Sequence, residues 1–384
     1  MYDFDAIHNR RSAGDIKYEP VDGADGLIPM WVADMDFMTA PCVETAVNQV
    51  ARKGIYGYQS ADAEYFRLVR SWYSRRFSFE IKEEWILPSP AVMYSVACAI
   101  RALTGEDDAV LILEPVYYPF ANVIRANRRR LVVSELKNDG GVYGIDFDDF
   151  EKKIREEKVK TLLFCSPHNP VGRVWTKAEL ERVAEICLRY DVTIIADEIH
   201  SDLVYAPNRH IPFASLSEEV AARTVTCVAP TKTFNLAAIE ASNIIISDDH
   251  IRKAVQREMR ANCQMGVNAF GIAATKAVYS DGEKWLDELL AYLDKSRTIL
   301  AEAFGQDGNI RVTAPEGTYL AWLDCKRLGL SDNALYDLLL YKAGVRLHKG
   351  STFGSSGSGF MRLNFACPHS VLREAIGRIQ AVIR

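Results

Sequence analysis

Between Ala109 and Ser247 the chain carries six short apolar runs with few polar interruptions: AVLILEP (109–115), RLVVSEL (130–136), TLLFCSP (161–167), VTIIADE (192–198), TVTCVAP (224–230) and SNIIIS (242–247). A strand with one wet face alternates apolar and polar residues. Near-continuous apolar runs suit strands covered on both faces, as in a mostly parallel sheet. Longer amphipathic stretches separate the runs. The clearest opens at Thr176, carries Glu179 three residues on as a capping box would, and continues into LERVAEICLRY. Strand and helix alternating in this way predict an α/β, doubly wound architecture.

The periodicity changes after about residue 280. WLDELLAYLDKSRTILAEAF reads as one long helix, TYLAWLDC as a strand, and the stretch from Ala334 to Ala343 as a helix. A glycine-rich loop then leads into a strand at FMRLNFAC, and LREAIGRIQAVIR closes the chain as a helix. This pattern predicts a smaller α+β domain. The expected division is an N-terminal arm, with part of the small domain, over 1–40; a large domain over 41–284; and a small C-terminal domain over 285–384.

With 48% hydrophobic residues among 384, the chain can bury a sizeable core. Its formal net charge of -5 lacks the basic surplus expected of a partner for nucleic acid or anionic membrane. The short cluster Arg128-Arg129-Arg130 is expected to be solvated surface. Eight cysteines without any CxxC spacing predict buried free thiols in a reducing compartment. No signal-peptide core and no membrane-spanning apolar run is present, so the expected location is the cytoplasm.

Three polar groups fall at the C-terminal ends of expected strands, where open α/β sheets bind ligands. They are SPHNPVG (166–172), DEIHSD (197–202) and APTKTFN (229–235). An aldehyde cofactor needs an amine, and a pyridine ring needs an acid to keep its nitrogen protonated. Reading Asp197, Glu198, His200 and Asp202 as a metal cluster is disfavoured, because neighbours on a strand face opposite ways. The loop GSTFGSSGSGF (350–360) has no Walker lysine and no helix after its last glycine. It is read as a turn near the site mouth and not as a nucleotide cradle.

At this point the chain resembles the fold-type-I pyridoxal-phosphate enzymes, and within them the cystathionine β-lyase branch of the MalY/PatB type. The motifs are PMWVADMDF (29–37), YGY (56–58), EPVYYPF (114–120), SPHNPVGRVW (166–175), ADEIHSDLVY (196–205), PTKTFN (230–235), GTYLAWLD (317–324) and FMRLNFACP (360–368), in family order. The resemblance implies the aspartate aminotransferase-like fold, pyridoxal 5'-phosphate as cofactor, an amino-acid substrate and a homodimer with a shared active site.

Residue by residue, Lys232 resembles the Schiff-base lysine, which also moves the α-proton. Asp197 resembles the acid paired with the pyridinium nitrogen, and Asn169 the amide on the cofactor's 3-hydroxyl. His200 stands where aminotransferases of this fold carry a tyrosine, and Tyr117 resembles the aromatic stacked on the ring. Tyr118 is expected only to pack. Arg362 resembles the clamp on the substrate α-carboxylate. The phosphate is expected on the helix opened by Ala91, Val92 and Met93, with Thr231 and with Tyr58 reaching across from a second subunit. Glu240 stands where aminotransferases usually have an arginine. The reaction implied is β-elimination from cystathionine or related cysteine conjugates. The rivals are an aminotransferase on the same scaffold and a regulatory protein that retains it.

Overall fold

The computed structural model describes residues 2–11, 14–264, 266–305 and 307–383. Seven strands form the central sheet, in the spatial order Ile86–Ser89, Ser242–Ile245, Thr224–Val228, Thr193–Asp197, Val159–Cys165, Ala109–Glu114 and Arg130–Glu135. All six apolar runs are in it. Only Ser242–Ile245 runs against the rest, antiparallel to both of its neighbours. The other pairings are parallel. All six strands end one or two residues short of the runs that announced them, and in three of these the run closes on Pro115, Pro167 or Pro230, which has no N–H to extend a ladder. The seventh strand, Ile86–Ser89, was not expected. It is short, contains Pro88 and lies at a sheet edge, where a missing donor is tolerated.

Alternate side chains of the sheet enter two separate apolar layers. Ile112, Leu163, Ile195 and Val225 pack with Val96 and Ile100 of the helix Val92–Leu103 and with Val255 of Asp249–Ala261. Leu111, Leu162, Phe164 and Ile194 pack on the opposite face with Phe150 and Ile154 of Phe147–Glu156 and with Leu180 and Val183 of Lys177–Arg189. This double covering is what apolar residues at nearly every strand position anticipate. Thr176 and Glu179 form the expected reciprocal capping box.

The long helix runs over Glu283–Ala303. A four-stranded antiparallel sheet follows, in the order Arg311–Val312, Leu320–Asp324, Phe360–Asn364, His348–Lys349. The helix expected from Ala334 is a short α-helix, Asp332–Asp337, that loosens into a π-type turn over Leu338–Lys342. His369–Val382 is the C-terminal helix. The arm strand Ile28–Pro29 pairs in parallel with Val345–Arg346, tying the N-terminal arm to the C-terminal part of the chain.

The glycine-rich stretch forms two tight turns, Gly350–Phe353 and Ser355–Gly357. A Cβ on Gly350 would lie 2.3 Å from the Gly357 carbonyl oxygen, so these glycines serve backbone packing. Arg128 and Arg130 are exposed and paired with Glu106 and Glu157, whereas Arg129 is half-buried and donates to Thr104 Oγ1 and the Asn127 carbonyl, so the expectation of a wholly solvated cluster fails for it. All eight cysteines are free, and six are buried. Cys42 is half-buried and Cys263 is exposed, so the expectation of uniform burial fails for these two.

Candidate active site

Neighbouring parallel strands end on one edge of the sheet, so the residues just beyond them converge. Asp197 is the last residue of Thr193–Asp197. Asn169 lies in the turn after Val159–Cys165, Tyr117 beyond Ala109–Glu114, and Lys232 in the single helical turn Pro230–Thr233 after Thr224–Val228. The small sheet contributes Arg362 from Phe360–Asn364. Together with His200, Thr231 and the helix start Ala91, Val92 and Met93, these residues line one cavity of about 440 Å³.

The electrostatics of this cavity are set by burial. The Asp197 carboxyl is pushed up to about 7 by burial, against a backbone N–H from Ile199 at 3.1 Å. The Lys232 amine is brought down to about 8, by burial first; Arg362 adds to this, while Asp34 and Asp197 oppose it. Its Nζ donates to the Ala33 carbonyl at 2.7 Å. Arg362 is buried and donates to Asn169 Oδ1 at 3.1 Å and to the Trp31 carbonyl at 2.8 Å. Phe353 lies beneath its guanidinium, 4.8 Å from ring centre to Cζ.

Glu198 and Asp202 turn away from the cavity. Glu198 accepts from the Phe213 N–H and lies 3.1 Å from His210 Nε2, while Asp202 accepts from Trp72 and Thr233. The opposite facing of Asp197 and Glu198 follows from strand alternation.

His200 is not a satisfied structural histidine. It is buried, its Nδ1 has no hydrogen-bond partner, and burial brings it down to about 3, so the ring is neutral. Arg362 Nε is likewise buried and unpartnered. Such groups are costly unless something occupies the cavity. A cationic ring nitrogen near Asp197 would restore that carboxylate. The helix Val92–Leu103 also begins with no side-chain cap at Ala91, leaving its first amides free for an anion. The residues present therefore fit a pyridoxal-phosphate-type group.

One expected residue stands apart from this constellation, and one lining position departs from the aminotransferase pattern. Tyr58 is 108% exposed and does not reach the cavity of its own chain. Glu240 does line the cavity, in a left-handed backbone conformation (φ 55), where an arginine would have helped a phosphate. Tyr118, expected only to pack, is a half-exposed rim residue beside His348 and Phe353. Sequence reasoning missed Trp31, His348, Ile199 and the carbonyls of the arm. The motif PMWVADMDF was the only signal pointing to that arm. Tyr319, also missed, donates to the same Ala33 carbonyl that holds Lys232.

Comparison with known proteins agrees with this geometry. The profile of the family Aminotransferase class I and II matches residues 26–379. The chain is 38% identical to cystathionine beta-lyase PatB of Bacillus subtilis, over 99% of both chains. It is 31% identical to Protein MalY of Escherichia coli, over 100% of this chain and 99% of the relative. Among solved structures, a PLP-bound putative aminotransferase from Clostridium difficile superposes with a TM-score of 0.97 at 40% identity over the whole of both chains. Cystalysin from Treponema denticola, which contains a pyridoxal 5'-phosphate cofactor, gives 0.96 at 35% identity over 100% of this chain and 98% of its own.

Proposed function

This chain belongs to the class I and II aminotransferase family, and we propose that it is a pyridoxal-phosphate-dependent carbon–sulfur β-lyase, cleaving L-cystathionine or related cysteine S-conjugates to a thiol, pyruvate and ammonia. The observation that carries the reading is the meeting, around one cavity, of a lysine lowered to about 8, a buried carboxyl and a buried arginine. Relatives named as cystathionine β-lyases support the lyase reading over transamination on the same scaffold.

Lys232 would hold the cofactor through its aldehyde and Asp197 through its ring nitrogen. Asn169 and His200 would stand on the ring-oxygen side and Tyr117 against its face. The amides from Val92 and Met93, with Thr231, would take the phosphate. Pyridoxal phosphate held there supplies an electron sink for the charge left at the substrate Cα. Arg362 exchanges the Trp31 carbonyl for the substrate carboxylate, a stronger, charge-assisted partner. The neutral amine of Lys232, accessible near pH 8, takes the proton from Cα. Asp197, in its ionised form, would keep a proton on the cofactor's ring nitrogen.

The exposed apolar residues Ile55, Tyr56 and Tyr58 on one segment support a homodimer in which Tyr58 reaches the partner's cavity. Among the described residues no helix is long and apolar enough to cross a membrane. Eight free cysteines support a cytoplasmic location. The test is pyruvate release from a cysteine thioether with no oxo acid added. Many equivalents per site establish the lyase. A single conversion of the cofactor, resumed only on adding an oxo acid, establishes an aminotransferase.

A further inference from the structure

Beyond the carboxylate clamp, the cavity opens toward solvent between Ile16, Trp31, Val32, Tyr118 and His348. Directly paired residues on neighbouring strands share a face, and His348 is the register partner of Arg362. His348 therefore stands beside the clamp, on the same face of the sheet. The rings close into an aromatic wall: His348 lies 6.0 Å from Trp31, 5.4 Å from Tyr118 and 5.0 Å from Phe353, centre to centre. Ile16, although it lines the cavity, is 62% exposed, an apolar side chain with room for a partner.

Among the described residues, those that line this opening include no aspartate, glutamate, lysine or arginine. His348 is neutral, held down at about 4 by burial and by Arg362, and its buried Nδ1 has no partner. Arg346 stacks outside on Trp31, 4.1 Å from the ring centre, with its guanidinium bonded to the Glu19 carbonyl. Behind the wall, Arg10 and Lys17 are committed to Asp15, Asp34 and Asp36. The carboxylates and cations deeper in the cavity are those assigned above to the cofactor and the α-carboxylate, together with Glu240.

We infer that this wall is the subsite for the substituent on sulfur, and that it selects cysteine conjugates with neutral, apolar substituents over cystathionine. The inference rests on the lyase reading for its substrate class. Cystathionine ends in a second ammonium and carboxylate, which this wall would partly desolvate without a partner of opposite charge. An alkyl or aryl group instead gains contact with Ile16, Trp31 and Tyr118.

The test is binding to the cofactor-loaded protein, followed by the change in the cofactor's absorption. Two amino acids that cannot undergo β-elimination serve as probes: L-homophenylalanine, isosteric with S-phenyl-L-cysteine, and 2,7-diaminosuberate, isosteric with cystathionine. L-Homophenylalanine is expected to bind at least roughly tenfold more tightly. Trp31→Ala and, independently, Tyr118→Ala should each remove most of that advantage while leaving 2,7-diaminosuberate binding in place. Tyr118 is the safer position, because Trp31 also donates its indole N–H to the Lys17 carbonyl. Equal or tighter binding of 2,7-diaminosuberate overturns the inference, as does a ratio that both variants leave unchanged. Thiol release from S-phenyl-L-cysteine is measured separately. Its absence alongside the binding preference would remove the lyase reading and leave the subsite standing.

Discussion

Replacing Asp197 by asparagine separates the cost of this site from its use. In the cofactor-free chain the carboxyl is held at about 7 by burial instead of its ordinary 3.8. The folded chain therefore binds this proton more tightly than the unfolded chain does. The contribution is fully favourable below 3.8, falls as pH rises toward 7, and stays at its lowest above that. Each pH unit in that interval costs roughly 1.4 kcal/mol, so ionised Asp197 costs the folded cofactor-free chain on the order of 4 kcal/mol at pH 8. Asparagine keeps an oxygen for the Ile199 N–H and carries no charge. Urea unfolding of both cofactor-free chains across a pH series should show asparagine increasingly the more stable as pH rises, by up to that amount. With cofactor bound the sign should reverse, because the ring nitrogen loses its counter-ion, and the variant should lose cofactor faster on dialysis. A stability difference between the cofactor-free chains that does not change with pH would refute the reasoning.

The rate at which cofactor-free protein captures pyridoxal phosphate covalently should rise about tenfold per pH unit and level off near the Lys232 value of about 8. A rate already flat well below that pH would mean the amine is not depressed, and Lys232→Ala should show no covalent capture by mass spectrometry. Arg362→Lys should lower kcat/KM for amino-acid substrates on the order of 100-fold, chiefly through KM, because an ammonium cannot copy the planar two-point grip. Steady-state kinetics over a wide substrate range would show it. Thr176→Ala, which removes the reciprocal cap on Lys177–Arg189, should cost about 1 kcal/mol in urea unfolding and leave turnover unchanged.

The central sheet was legible because burial on both faces writes itself into consecutive residues. Leu111 and Ile112 enter different layers, and both must be apolar. The strand Ile86–Ser89 was not legible, since an edge strand with a proline carries no such demand. Lys232, Asp197, Asn169 and Arg362 could be singled out because strand ends and motif residues mark them in one dimension. His348 could not. Its place beside Arg362 is fixed by the register of two strands separated by a glycine-rich loop, and nothing local distinguishes it from a surface histidine. The helix start at Ala91 was readable. The role expected of Tyr58 came from the resemblance alone, since nothing local in the sequence distinguishes it and a single chain leaves it fully exposed.

The segment from Trp31 to Asp34 explains why the two cations of the site are ready for use. The strand Ile28–Pro29 ends before it, so the segment's carbonyls lack a sheet ladder and must find other donors. They find them in the site: Trp31 takes Arg362, Ala33 takes Lys232 and Tyr319, and Val32 and Asp34 take Asn364. A carboxylate in place of any of these carbonyls would bind its cation too well. Arg362 paired to an acid would resist exchange for a substrate carboxylate, and Lys232 in direct contact with one would be held protonated. Neutral carbonyls satisfy the buried donors yet lose to an arriving anion. Asp34, whose charge raises the Lys232 amine from a distance, is meanwhile held in ion pairs with Arg10 and Lys17, so the arm fixes the backbone of the segment and leaves a carbonyl, not a carboxylate, as the direct partner of Lys232.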